Sequence, residues 1–158
     1  MAMADRVVTM RSYWLILAGG LSAFASLLHV ATIAGGGDWY RFFGAGEDMA
    51  RAAEAGSPMP GLVTAGIALI LAIWALYAFS AAGLVRRLPL LRTALVLITS
   101  IYLLRAAALV PLLILKPQLV DTFAIVSSAI VLCYGLAYAV GTWSAWHALR
   151  PSSRPDTR

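Results

Sequence analysis

Thr93–Leu115 reads TALVLITSIYLLRAAALVPLLIL, an apolar run with one cation, Arg105, inside it. About 20 apolar residues in a helix cross the ~30 Å hydrocarbon layer of a bilayer, so this run predicts a membrane span. A cationic side chain at membrane depth costs between roughly 2.5 and 17 kcal/mol, depending on the reference state. The run therefore predicts a fold arranged to answer the charge of Arg105.

Working outward, three more runs reach spanning length: Tyr13–Ala34, Gly61–Val85 and Leu119–Trp143. Hydrophobic residues make up 61% of the 158 and charged residues only 12%, against about 25% charged in soluble domains. The reading is one all-α domain over residues 1–158. It is an antiparallel four-helix transmembrane bundle with a long structured loop at 35–60 and a polar tail at 144–158.

Ser12 precedes the first run as a candidate N-cap, and Gly35-Gly36-Gly37 is expected to end it. Ala23-Phe24-Ala25 has the form of a signal cleavage site, but the apolar run continues to about Ala34. That length fits a membrane anchor better than a short signal core. Gly19, Ser22, Ser26 and His29 share one face, as do Ala65, Ala68, Ala72 and Ala75. Small residues in a stripe let membrane helices approach closely. In the loop, Trp39–Phe43 suits the membrane surface or a lid, and Glu47–Ala55 reads as a short helix with acids in its first turn. Pro111 predicts a kink near Ala107–Pro111.

The net charge of +5 does not point to nucleic acid. Most arginines flank the spans, where they set topology. Arg6, Arg11, Arg86, Arg87, Arg92, Arg150, Arg154 and Arg158 fall on one side, and Arg41, Arg51 and Lys116 on the other. The positive-inside rule then places both termini in the cytoplasm. The lone Cys133 reads as a small packing residue.

A candidate site follows from depth. At 1.5 Å per residue, Arg105 lies roughly 18 Å, and His29 roughly 24 Å, from the inner edge of the hydrocarbon. Asp38 and Glu47 in the loop, and Asp121 at the head of the last span, fall on the same outer side. Two readings compete. In one, Arg105 is a structural staple paired with Asp121 or a loop carboxylate. In the other, Arg105, His29, Tyr102, Asp38, Glu47 and Asp121 line an outward pocket, with the arginine fork holding an anion and the imidazole exchanging protons.

No metal-ligand spacing is present. His147 lies on the opposite side from His29, which excludes a bis-histidine haem in one molecule. No phosphate loop, nucleophile elbow or zinc-protease motif occurs. No cofactor is expected, and the reading leans away from an enzyme. The expected partners are the lipid bilayer and either a membrane protein or a second copy.

The segments HVATIAGGGDWYRFFGAGEDMARAAEAGSPMP (from His29) and WALYAFSAAGLVRRLPLLR (from Trp74) resemble small four-span bacterial inner-membrane proteins of uncharacterised activity. A looser likeness to DoxX-type proteins rests on size and span count. The resemblance implies a four-helix fold in a bacterial cytoplasmic membrane and brings no catalytic residues.

Overall fold

The computed structural model describes residues 2–149, with side chains from Tyr13 onward. The tail beyond Leu149 lies outside the described residues, as do the side chains of Arg6 and Arg11. The elements are α1 (Ala2–Phe42), α2 (Glu47–Glu54), α3 (Met59–Ala82), α4 (Leu91–Ala107), α5 (Leu109–Leu115), a 3-10 turn (Pro117–Leu119) and α6 (Thr122–Ala145). Four segments are long and apolar enough to cross a membrane: Tyr13–Phe42, Met59–Ala82, Leu91–Leu115 and Thr122–Ala145. The chain is an all-α four-helix bundle.

Neighbouring spans run antiparallel. α1 packs most extensively on α3 and then on α6, α4 packs on α6, and the α3–α4 seam is sparse. The core is made of Leu15, Ala18, Leu71, Ala78, Leu95, Ile98, Tyr102, Ala137 and Tyr138. Leucines and isoleucines elsewhere point outward: Leu62, Leu69, Leu104 and Ile114 are all more than half exposed. Lipid is as apolar as leucine, so little is gained by turning these side chains in, and close packing decides the interior instead. Gly141 is one such close approach. A Cβ there would come within 2.9 Å of Leu15 Cδ2 and 3.3 Å of its backbone nitrogen. Gly141→Leu is expected to destabilise the bundle by about 1–3 kcal/mol through overpacking, read as a lowered midpoint in detergent unfolding.

The boundaries differ from the sequence reading in two places. Ser12 is not an N-cap, because α1 already begins at Ala2. The glycine triplet does not end the first helix. It kinks it: Gly36 adopts φ 66°, ψ −152°, and helix resumes through Phe42. That left-handed φ is open to glycine at no steric cost, so the chain turns without stopping. The loop therefore begins after Phe42 rather than at residue 35, and it carries α2 as expected. The break between α4 and α5 falls at Ala108, as Pro111 requires. Beyond it, α5 and the 3-10 turn bury no residue. That end of the third span stands apart from the core.

Candidate functional site

The middle of the bundle is held by hydroxyls. Ser22 Oγ of α1 lies 3.0 Å from Tyr102 Oη of α4 and 3.0 Å from Tyr138 Oη of α6. Tyr138 Oη donates to the Trp74 carbonyl of α3 at 3.0 Å. All four spans meet at this one network. Its proton order follows from counting donors. A carbonyl only accepts and each hydroxyl carries one proton, so Tyr138 spends its proton on Trp74. Ser22 must then donate to Tyr138, and Tyr102 to Ser22. Aromatic contacts surround the chain: the Trp74 and Tyr102 rings are 4.9 Å apart edge to face, and Tyr102 and Tyr134 are 5.6 Å apart. Ser22 and Tyr138 are fully buried. The run of hydrogen bonds ends on a backbone carbonyl, and it ties the four spans to one another.

The six residues singled out from the sequence are not brought together. Tyr102 belongs to the central network. His29 Nδ1 sits 2.8 Å from the Ala25 carbonyl of its own helix, a local bond that leaves the ring half-buried on α1. Asp121 caps α6, its Oδ1 accepting from Ala124 N at 2.7 Å. Asp38 and Glu47 lie against a different arginine, Arg41. Arg105 is exposed and takes part in no hydrogen bond or ion pair among the described residues. The expectation that it pairs with Asp121 or a loop carboxylate is corrected: Asp121 serves its own helix terminus, and three of the four loop acids converge on Arg41 while Asp48 faces Arg51. By 100° per residue, Arg105 falls about 20° from Ile98 and about 160° from Leu103 around α4. Leu103 packs on Gly135 of α6, so Arg105 lies on the side of α4 away from that contact, and its side chain is exposed.

Arg41 is the charge centre that the sequence reading missed. Its Nε reaches Glu47 Oε2 at 2.8 Å, its Nη1 lies 3.4 Å from Asp38 Oδ1, and its Nη2 reaches Glu54 Oε2 at 3.1 Å. Gly37 leaves room for it, since a Cβ there would oblige the Glu54 side chain to shift. The network ties α2 back onto the kinked end of α1. Beside it, Trp39, Phe42 and Phe43 form an aromatic patch, with Phe42 76% exposed. Exposure of that degree fits a surface anchor better than a lid folded over the bundle.

The Arg41 guanidinium, hydrogen-bonded to both carboxylates, holds Glu47 and Glu54 below the ordinary glutamate value of 4.5. A carboxylate whose pKa is lowered on folding stabilises above its unfolded value and loses that contribution as pH falls through the folded one. The docking of α2 is therefore expected to hold at neutral pH and to loosen below about pH 4.5. Hydrogen exchange of the Asp48–Ala55 amides, corrected for intrinsic rate, checks this. Arg41→Gln should remove the pH dependence.

Among the described residues no three His, Cys, Asp or Glu side chains converge as a metal site would need. The chain matches no family model, no curated protein and no solved structure.

Proposed function

We propose that this chain is a non-enzymatic accessory subunit, docking through the Arg105 flank of α4 onto a transmembrane helix that carries an aspartate or glutamate. The single observation behind this reading is an exposed Arg105 within a span, with no carboxylate paired to it among the described residues. The chain has seven acidic residues: Asp5, Asp38, Glu47, Asp48, Glu54, Asp121 and Asp156. Of the five with described side chains, four pair with Arg41 or Arg51 and Asp121 caps α6, so among them a second copy has no free counter-charge to offer. From Arg105 to Leu115 is at most roughly 15 Å, across the break at Ala108, a long way for one side chain to reach toward the outer head groups. Intramembrane charges ordinarily find protein partners, which leaves a different protein as the source. The setting is a bacterial inner membrane with both termini cytoplasmic, following the arginine distribution and the resemblance to four-span bacterial proteins.

A photo-crosslinking residue at Ile101, 48% exposed on the same side of α4, tests the proposal in native membranes. Crosslinks to one defined protein that vanish in Arg105→Leu and persist in Arg105→Lys support it. Loss on changing one membrane-depth acid of that protein to its amide completes the case. Crosslinks to lipid alone, or protein crosslinks indifferent to Arg105, overturn it.

The alternative is a small-molecule or lipid-handling protein with an outward pocket at Arg105. It finds less support, because Tyr102 turns its hydroxyl inward to Ser22 and His29 bonds its own helix.

A further inference from the structure

A second polar feature lies at the opposite end of the bundle. Between α4 and α6 is a groove of about 220 Å³, lined by Val96, Thr99, Ser100, Thr142, Trp143 and Trp146 among others. Thr142 is 94% buried by its 6% exposure, yet its Oγ1 has no hydrogen-bond partner. Against Trp146, which lines the groove, the Arg92 guanidinium carbon stands 3.4 Å from the ring centroid. Arg92 Nε is also buried without a partner. Buried donors left unmatched cost free energy, and one lining the groove with another behind its Trp146 wall point to a missing acceptor. The surroundings give its charge. Arg86, Arg87 and Arg92 lie on and beside the α3–α4 turn. That turn is pinned by Ser80, whose Oγ donates to the Arg86 carbonyl and accepts from Leu88 N. No carboxylate belongs to this end among the described side chains. The surroundings also give its depth: Trp143 is 85% exposed near the end of a span, the level at which tryptophans sit among lipid head groups.

We propose that this groove holds the phosphate of an anionic phospholipid. The phosphate oxygens would accept from the Arg92 guanidinium and, on a turn of its side chain toward the groove, from the Thr142 hydroxyl, and an acyl chain would run along Val96 and Trp143 into the bilayer. Basic clefts between helices at a membrane face are suited to anionic head groups. The groove has room for a phosphoglycerol group and not for a whole lipid, so the tails stay in the surrounding membrane. This site is independent of the Arg105 flank and stands or falls without it.

The test is native mass spectrometry of the full chain after exchange into an equimolar mixture of phosphatidylglycerol and phosphatidylcholine. The expected result is preferential retention of phosphatidylglycerol, falling about fivefold on loss of the Arg92 charge. Arg92→Lys should retain most of the preference, and Thr142→Ser should behave as the parent. Ser100→Trp, which fills the groove from its exposed edge without touching the core, should abolish retention in a folded chain. Equal retention of both lipids overturns the proposal, as does unchanged retention in Arg92→Gln or in Ser100→Trp. Displacement of the lipid by millimolar inorganic phosphate alone overturns it as well, because that result assigns the groove to a free anion.

Discussion

Replacing Tyr138 with alanine is expected to destabilise the bundle by about 3–5 kcal/mol, the cost of deleting a large side chain from a packed interior. Tyr138 is fully buried, and its ring contacts Tyr102 at 5.5 Å. The more informative change is Tyr138→Phe, which keeps the ring and removes one oxygen. That oxygen donates to Trp74 and accepts from Ser22, so its loss breaks two bonds and strands the Ser22 proton. Tyr102→Phe removes only the first donor of the chain. With side-chain hydrogen bonds in membranes averaging about 0.6 kcal/mol and reaching about 1.7, Tyr138→Phe is expected to cost about twice what Tyr102→Phe costs. A double-mutant cycle between Ser22→Ala and Tyr138→Phe should return a clear coupling energy. Unfolding midpoints in mixed micelles measure all four proteins. Equal losses for the two tyrosines would refute the proton order.

Arg105→Leu is expected to act in the opposite direction on the isolated chain. An arginine near the centre of a span opposes insertion by about 2.5–3.5 kcal/mol, and Arg105 recovers none of this through an ion pair within the described chain. Its removal should therefore make insertion of the third span more favourable and leave the unfolding midpoint unchanged or higher. The same substitution should abolish the Ile101 crosslink described above. A buried staple would behave otherwise, since removing one partner of a buried pair costs about 3–5 kcal/mol. Translocon insertion efficiency and thermal stability in detergent separate the two. A marked loss of stability in Arg105→Leu would return the residue to a structural role.

Much of the architecture was legible in the chain itself. Transfer free energy adds up residue by residue along a segment, so four long apolar runs announce four spans wherever they later pack. Pro111 carries its own kink because the missing N–H is a local fact. Gly19 and Ser22 foretold a contact face, since their spacing on a helix needs no knowledge of the neighbour. The glycine triplet was read less well. Its composition argues for an end, while the outcome depended on whether the chain past Gly36 had something to pack against. Trp39 folding back over Gly35, and α2 packing beneath, supplied it.

The partners of the polar groups were settled only in three dimensions. Ser22 meets Tyr102 across 80 residues and Tyr138 across 116, and such pairings depend on how each helix is rotated about its axis. Hydropathy carries almost no information about rotation when lipid and protein interior are equally apolar. The same holds for charge. From composition alone, Asp38, Glu47 and Glu54 were as available to Arg105 as to Arg41. With the kink at Gly36, Arg41 stands beside them, while Arg105 is exposed. Membrane residence followed from the chain alone, because burial in lipid is a property of each segment. The pairing of its polar side chains required the assembled bundle, because hydrogen bonds and ion pairs are short-ranged and reward only the geometry that tertiary packing supplies.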